Sequence, residues 1–225
     1  MQLEKIPAIL ERYGMVFLEG LGGTLWFSLI SVAFAVFFGT ILAVMRLSRV
    51  KLFEGFVDVY LWIIRGTPIL LQLYFFWLGL PRLLHMELSN ETCIVAALII
   101  NASAYVCEVI RAGIQAVDSG QTEAAKSLGM SDFNAMTRII LPQAIKNILP
   151  ALGNEFIVMV KQTSLASVFF VHELMTAQKT VQSATFQPMP SLIIAGLIYL
   201  AVTTVLTFCL RFFERRLHKS ERSIV

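Results

Sequence analysis

The chain has 225 residues, of which 57% are apolar and 15% are charged, and its formal net charge is +3. A soluble domain carries about 25% charged residues, so this composition excludes an ordinary soluble protein and predicts an all-α integral membrane protein. The modest net charge gives no support for a nucleic-acid-binding function.

The first twenty residues are not expected to form a signal peptide, because Glu4, Lys5, Glu11 and Arg12 interrupt any apolar core. Apolar residues recur at helical spacing through residues 2–19. This pattern allows either a helix that lies in the outer membrane interface or a partly ordered tail. Membrane targeting is expected to come from the uncleaved first span.

Five apolar stretches are long enough to cross a bilayer, which requires about 20 residues. The predicted spans cover residues 21–45, 56–80, 92–110, 148–171 and 191–210. Pro81, Pro150 and Pro190 lie at the edges of these stretches, where helices commonly end. Because the sequence shows no internal repeat and no low-complexity tract, we expect a single transmembrane domain over residues 1–225.

The basic residues orient these spans by the positive-inside rule. Twelve Lys and Arg residues fall in the segments 46–53, 111–147 and 211–225, whereas four fall in the opposite segments. Five spans place the two termini on opposite sides of the membrane. We therefore expect an outside N-terminus, a cytoplasmic C-terminus and a cytoplasmic loop over residues 115–147. Anchoring at an anionic inner leaflet explains the basic, aromatic C-terminal helix end.

The polar segment Gln121–Gln143 has helical periodicity, although it lies between long apolar spans. Gly129 is able to take a positive φ and end a first short helix. Ser131 or Asp132 is able to cap a second helix. That second helix is expected to run through Phe133, Met136, Ile139 and Ile140. Periodicity alone leaves two interpretations open, a docking surface for a partner or a helical hairpin that rests on the cytoplasmic membrane surface.

Several short motifs, taken in order, resemble those of one transporter family. They are Arg65-Gly66-Thr67-Pro68, Glu108–Ile114, Gly120-Gln121, Glu123-Ala124-Ala125 with Gly129, Leu141-Pro142-Gln143 and Lys161–Leu165. By these motifs the chain resembles the permease subunits of ABC importers, in the branch that takes up polar amino acids, from about residue 20 to 216. The position after Lys161 is often acidic in that branch. Gln162 departs from this pattern, which weakens the case for a cationic substrate.

The resemblance implies the type I ABC importer permease fold, with five transmembrane helices in the bacterial plasma membrane. It implies a second permease subunit, identical or homologous, two ABC ATPase subunits and an extracytoplasmic amino-acid-binding protein as partners. In that family the "EAA" loop forms a coupling helix that sits in a groove on the ATPase. The residues to which the resemblance assigns ATPase coupling are Glu123, Ala124, Ala125, Lys126, Leu128, Gly129 and Met130.

Polar side chains inside the predicted spans are the candidates for substrate contact, because a charge costs roughly 2.5–3.5 kcal/mol at bilayer depth. Glu155 and Gln162 are two helical turns apart and share one face of the fourth span. In the family that the chain resembles the fourth span contributes to the substrate path, so the resemblance makes Glu155, Gln162, Thr163 and Ser164 candidates for substrate contact. Arg65 of the second span and Asn101 of the third are added to this set. Helix–helix hydrogen bonds at the permease dimer interface would explain the same polar face, and Lys161 would then neutralise a carboxylate such as Glu155 across that interface.

Structural explanations also stay open for three charged residues. The first of them, Arg65, lies just before Gly66 and Pro68, and Pro68 removes a backbone hydrogen bond and favours a kink in the second span. Arg65 would serve as a gate-lining cation, as a contact for the substrate carboxylate, or as a structural partner of a neighbouring helix. Glu108 and Arg111 are three residues apart, so they are expected to form a structural pair on one helix face.

The sequence contains no recognisable motif for nucleotide hydrolysis, metal binding or other catalysis. It lacks a GxxxxGK[ST] phosphate loop, its histidines are scattered, and its three cysteines lie in apolar stretches without metal spacing. We therefore expect no metal, no cofactor and no enzymatic activity, with ATP and Mg²⁺ used by the partner ATPase. An ion-gradient-driven amino acid transporter or channel, with Glu155 and Lys161 as the coupling site, is the alternative. A membrane scaffold without a transport role is a third class.

Overall fold

The computed structural model describes residues 3–48 and 50–219, and all the regular elements in these residues are helical. The α-helices are α1 (Ile6–Leu47), α2 (Lys51–Gly66), α3 (Ile69–Leu84), α4 (Asn90–Gln115), α5 (Ser119–Ser127), α6 (Asp132–Ala135), α7 (Leu141–Gln162), α8 (Leu174–Thr185) and α9 (Pro188–Lys219). A π-helical turn covers Met136–Ile140, and 3₁₀ turns cover Leu3–Lys5 and Thr163–Phe169. Arg49 and Arg222, which contribute to the predicted orientation, lie outside the described residues.

Three of these helices are long and apolar enough to cross a membrane by themselves. They are α1, α4 and α9, and they contain the first, third and fifth predicted spans. Two bent pairs pass the same test of length and composition when each pair is taken together, so the described residues supply between three and five spans. The second and fourth predicted spans lie in these bent pairs.

The first helix is longer than the sequence predicts. We expected a span over residues 21–45 preceded by a separate interfacial helix or tail, but α1 runs without a break over 42 residues. At 1.5 Å per residue this helix is about 63 Å long, roughly twice the thickness of the hydrocarbon core. Glycines near its middle do not end it, because α8 packs directly against them. A Cβ atom at Gly20 would lie 2.7 Å from the Cβ of Ala177, and one at Gly23 would overlap the carbonyl oxygen of His172.

Small side chains form a buried stripe along α1, at a spacing of three or four residues. Its members are Gly20, Thr24, Ser28, Ser31, Ala35, Gly39 and Ala43. Small residues let helix backbones approach closely, which is the main route to tight packing between helices in lipid. The stripe holds α1 against α4 and α8.

The second predicted span is not one helix. The sequence predicted a single stretch over residues 56–80 with a kink at Pro68, but α2 ends at Gly66 and α3 begins at Ile69, with a bend of 107° between them. The cause is local, because a residue that precedes proline is disfavoured in the helical region. Thr67 accordingly takes an extended conformation, with φ −118° and ψ 147°.

The fourth predicted span, residues 148–171, also differs from a plain helix. Helix α7 begins earlier, at Leu141, and its α-helical part ends at Gln162, after which the chain continues as a 3₁₀ turn. The hydroxyls of Thr163 and Ser164 donate to the carbonyl oxygens of Val160 and Lys161, at 2.9 and 2.6 Å. Such local bonds compete with the α-helical ladder, which explains the tighter turn.

Helix α4 lies at the centre of the molecule and packs against α1, α2, α3 and α7. One apolar cluster joins α4 to α1, α3, α7 and the 3₁₀ turn that follows α7. A second cluster joins the N-terminal part of α1 to α8 and α9. These contacts position the polar groups described below.

Candidate functional site

The segment between α4 and α7 folds into a capped helix that ends in a sharp turn. The carboxylate of Asp118 caps α5 by accepting a hydrogen bond from the backbone N–H of Gly120, at 2.6 Å. At the other end Gly129 has φ +79°. The N–H of Met130 donates to the carbonyl of Ala125 at 3.1 Å, and that of Gly129 donates to the carbonyl of Lys126 at 2.9 Å. These two bonds define a Schellman motif, so the predicted positive φ of Gly129 is confirmed.

The chain then turns directly into a second helical segment. The Ser131 hydroxyl caps α6 by accepting from the N–H of Asn134 at 3.3 Å, one of the two caps that the sequence predicted. Lys126 forms an ion pair with Asp132 at 2.9 Å, which ties α5 to α6. The expected second helix is divided into α6 and the π-helical turn, which runs into α7 without a loop.

This segment presents large apolar side chains outward. Leu128 is 84% exposed and Phe133 is 76% exposed, whereas Ala125 is buried against the rest of the chain. The other predicted coupling residues, Glu123, Ala124, Lys126, Gly129 and Met130, are exposed or half-buried. Exposed apolar side chains of this size fit either interpretation of the segment, a docking surface for a partner or a hairpin that rests on a membrane surface.

The carboxylate of Glu108 forms ion pairs with three arginines from three helices. Its carboxylate pairs with Arg111 at 2.7 Å, with Arg46 of α1, and with Arg65 of α2 at 3.7 Å. Arg46 also pairs with Asp58 at 2.9 Å. We call these five residues the Glu108 cluster. The predicted Glu108–Arg111 pair is confirmed, and Arg65 has the structural partner that the sequence left open. The contact of Arg46 with Glu108 was not predictable, because it joins residues far apart in the chain.

The predicted substrate residues do not form one pocket in this chain. Asn101 is buried, and its side-chain nitrogen donates to Gln72 at 2.8 Å, while its oxygen has no partner among the described residues. The side-chain nitrogen of Gln72 in turn donates to the carbonyl of Ile64 and to the hydroxyl of Thr67, each at 2.8 Å. It therefore supplies a hydrogen bond to a carbonyl group that the end of α2 leaves unpaired. Arg65 lies close by in the Glu108 cluster.

The other four candidates lie on α7 and just beyond it. Thr163 is fully buried, and the side-chain oxygen of Gln162 is buried with no partner among the described residues. Ser164 lines a cavity, as described next. Glu155 is half-buried, and no ion pair within the described residues involves Glu155 or Lys161. The neutralisation of Glu155 by Lys161 across a permease dimer interface stays a prediction, because the structure contains one chain.

A cavity of about 500 Å³ opens between the end of α7, the 3₁₀ turn, α8 and α9. Its polar lining consists of Lys161, Ser164, Ser167, Lys179 and Tyr199, and the rest is apolar. Sequence reasoning did not select Ser167, Lys179 or Tyr199, because they come from three elements that only the fold brings together. This volume falls in the range of roughly 300–1,000 Å³ that is typical of small-molecule sites.

A buried carboxylate that the sequence did not single out ties α8 to its neighbours. Glu173 is fully buried and caps α8, accepting from the N–H groups of Met175 and Thr176 at 2.8 and 2.6 Å. It also accepts from the Tyr199 hydroxyl of α9 at 3.1 Å. On α1 the Thr24 hydroxyl accepts from the N–H of Leu174 at 3.1 Å. Three helices therefore meet at one satisfied polar junction.

Within residues 3–48 and 50–219, no group of three or more His, Cys, Asp or Glu side chains is placed to hold a metal ion. The polar groups described above can instead bind a small polar molecule, pair helices or receive a partner protein.

Comparisons with known proteins place these features in a family. Residues 35–219 match the family described as binding-protein-dependent transport system inner membrane component. The arginine transport system permease protein ArtQ of Bacillus subtilis (strain 168) is 39% identical over 204 residues, which cover 91% of this chain and 93% of the relative. The putative glutamine transport system permease protein GlnP of Rickettsia bellii (strain RML369-C) is 38% identical, covering 88% of this chain and 91% of the relative.

Solved structures show the same relationship. A chain in the crystal structure of an amino acid ABC transporter with histidines is 44% identical, with a TM-score of 0.89, and the match covers 92% of this chain and 96% of that chain. A chain of the inward-facing MetNI methionine ABC transporter has a TM-score of 0.73 at 14% identity, covering 92% and 98% of the two chains. The latter similarity shows a shared fold alone.

Proposed function

The chain belongs to the family of binding-protein-dependent transport system inner membrane components, and from this premise we propose that it conducts a polar amino acid through an ATP-driven importer. It is a multi-pass membrane protein and a permease subunit, so ATP hydrolysis belongs to a separate subunit. The observation that carries the proposal is the match, at 44% identity and a TM-score of 0.89, to a chain of an amino acid ABC transporter. The named relatives transport arginine and glutamine, which supports an amino acid as substrate.

We propose five spans with the N-terminus outside and the C-terminus in the cytoplasm. The bent pair α2–α3 would supply the second span, and α7 with its 3₁₀ turn would supply the fourth. The excess of basic residues in the segments 46–53, 111–147 and 211–225 supports this orientation. A cysteine placed at the exposed Ser127 should react with a membrane-impermeant thiol reagent from the cytoplasmic side only. Labelling from the outside would overturn the orientation.

In this orientation α5 serves as the coupling helix for an ABC ATPase. Its C-terminal turn is fixed by Gly129 and the Schellman bonds, so Leu128 is held outward. The Lys126–Asp132 ion pair and the π-helical turn connect α5 to α7 without a flexible loop. A displacement of α5 would therefore be transmitted to α7 through this ion pair and the π-helical turn.

The substrate path is proposed to follow the polar residues of α7 together with those of α2 and α4. Gln162, Thr163 and Ser164 lie where α7 changes to a 3₁₀ turn, and irregular backbone at membrane depth is tolerated where it lines a cavity. Glu155, Arg65 and Asn101 complete the proposed set. Because these residues do not share one pocket in a single chain, a path that uses all of them requires a second state of the chain or a second permease subunit.

The proposed mechanism is alternating access. ATP binding would close two ATPase subunits together, move α5, and open the substrate path toward an extracytoplasmic amino-acid-binding protein. Hydrolysis would reset the path inward. The substrate must contact the two states differently, because a ligand shifts an equilibrium only by its differential affinity. A second permease subunit, identical or homologous, would complete the path. The comparisons give no support to the ion-gradient alternative.

The test is reconstitution of the chain with its ATPase and its binding protein in liposomes. ATP hydrolysis is measured against a panel of polar amino acids, with and without the binding protein. We expect stimulation by one or a few amino acids that requires the binding protein. An ATPase rate that no amino acid changes, or the failure of any ATPase to associate, would overturn the proposal.

A further inference from the structure

A second cavity, of about 530 Å³, lies against α5 and shares no lining residue with the cavity beside α8. It opens between α5, α6, the π-helical turn and the ends of α1 and α4. In the proposed orientation the segments 46–53 and 111–147, which supply its lining, are cytoplasmic. The cavity is therefore reached from the cytoplasm, and its volume is typical of small-molecule sites.

One face of α5 lines this cavity. Ser119, Thr122 and Lys126 supply that face, and their spacing of three and four residues places side chains on the same side of a helix. Leu128 follows two positions after Lys126, about 200° further around the helix, and is 84% exposed. A ligand in the cavity would therefore leave Leu128 able to contact the ATPase.

The cavity wall combines charges of both signs with uncharged polar and apolar groups. Its polar side chains are Ser48, Gln115, Ser119, Thr122, Lys126 and Asp132, and the rest of the wall is apolar. Lys126 and Asp132 form the ion pair between α5 and α6, with 2.9 Å between the ammonium nitrogen and a carboxylate oxygen. Their side chains are 51% and 78% exposed, so this pair contributes little to stability and opens at low cost.

The ion pair determines which charges a ligand of this cavity should carry. A ligand with a single charge would replace only one half of the pair. A zwitterion brings a carboxylate for Lys126 and an ammonium group for Asp132, so it replaces the pair with two charge-assisted contacts. The hydroxyls of α5 and the apolar side chains of the π-helical turn are then available for the rest of a small polar molecule.

We propose that this cavity binds a zwitterionic amino acid from the cytoplasm and that the bound amino acid slows the transport cycle. The inference rests on the proposed function, because an amino acid importer delivers such a zwitterion to this side of the membrane. The ligand would contact α5, α6, the π-helical turn and the ends of α1 and α4 together. It would therefore hold α5 in place, and the proposed cycle requires α5 to move.

The test uses liposomes in which the ATPase of the assembled transporter faces outward, with the binding protein and an amino acid inside. ATP hydrolysis is measured while amino acid is added to the outside, which corresponds to the cytoplasm. The probes are the polar L-amino acids of the panel above. Each is compared with its carboxamide, which lacks the carboxylate, and with its N-acetyl derivative, which lacks the ammonium group. Every rate is referred to the same variant without added probe.

We expect external amino acid to lower ATP hydrolysis by the wild-type complex. Each derivative should need a roughly 10- to 100-fold higher concentration for the same inhibition, as expected for loss of a charged hydrogen bond. Lys126→Gln should abolish the preference for the amino acid over the carboxamide, and Asp132→Asn the preference over the N-acetyl derivative. Damage to the fold alone would not produce this reciprocal pattern.

A pair of bulky substitutions separates the cavity from the substrate path. Ser48 lines the cavity at the end of α1, whereas the exposed Val50 does not line it. Ser48→Phe should fill part of the cavity and relieve the inhibition, and Val50→Phe should be inhibited as the wild type is. Equal inhibition of both variants would assign the effect to amino acid that enters the substrate path, and would overturn the inference.

Two further results would overturn the inference. One is a wild-type complex whose ATP hydrolysis external amino acid does not lower. The other is equal inhibition by the amino acid and its two derivatives. Stimulation of ATP hydrolysis by the amino acid and binding protein inside the same liposomes is measured first. Its absence would contradict the proposed function, whereas its presence without external inhibition would contradict this inference alone.

Discussion

Gly129 has a backbone conformation that few other residues adopt without strain. Its φ of +79° lets two crossed hydrogen bonds end α5, and no other atom lies within 4 Å of the position that a Cβ would occupy. A substitution at this position therefore tests backbone conformation without adding a steric clash. The two variants below differ mainly in their tolerance of positive φ.

We expect Gly129→Val to weaken association of the ATPase by about tenfold or more, because a β-branched residue at positive φ costs roughly 1–3 kcal/mol. Gly129→Asn should remain within about twofold of wild type, because asparagine adopts this conformation readily. The measurement is the amount of ATPase that co-purifies with each variant at matched permease concentration. Equal loss in both variants, or loss in neither, would contradict the role of the turn.

The features of single residues that the sequence predicted correctly are those set by residues nearby in the chain. The positive φ of Gly129, the cap by Ser131 and the Glu108–Arg111 pair all follow from neighbours within a few positions. The rest of the Glu108 cluster was not predictable, because Arg46 and Arg65 reach Glu108 from other helices. The Lys179 contact with Ser167 escaped prediction for the same reason.

At the scale of elements, the small-residue stripe of α1 sets the distance between helices. A Cβ atom at Gly39 would lie 2.7 Å from the Cβ of Val106 and 2.9 Å from the carbonyl oxygen of Ser103. Gly22 in the same helix has no atom within 4 Å of that position. Alanine substitutions at these two glycines therefore distinguish the effect of close packing on stability from the effect of helix propensity.

We expect Gly39→Ala to lower the free energy of unfolding by about 1–3 kcal/mol through overpacking against α4. Gly22→Ala should leave it unchanged or raise it by up to about 1 kcal/mol, because alanine is the better helix former. Thermal unfolding of both variants in detergent is the measurement. A Gly39→Ala protein as stable as the Gly22→Ala protein would contradict the packing argument.

Three of the five predicted spans lie within single long helices, whereas the breaks in the other two predicted spans were not predictable. The apolar runs predicted helices within α1, α4 and α9, because a predominantly apolar stretch of this length is nearly always helical in lipid. Pro68 indicated a kink, but the sequence did not predict the size of the bend, 107°, or the hydrogen bond from Gln72 to the Ile64 carbonyl of α2. That contact, and the packing of α8 against α1, arise only in the folded chain.

At the scale of the whole molecule, the side chains described above divide into two sets. The Glu108 cluster and the Glu173 junction satisfy their charges within the chain and hold helices together. Lys161, Gln162 and the exposed Leu128 and Phe133 lack partners that the described residues supply. We propose that the second set finds its partners when the permease assembles with its ATPase and binds its substrate.

The most direct test is uptake of a radiolabelled amino acid into liposomes that contain the permease, its ATPase and its binding protein. We predict uptake that requires ATP and the binding protein, and that persists when ionophores abolish the proton and sodium gradients. Uptake that continues without ATP and stops with the ionophores would contradict the account, and would assign the transport to an ion gradient.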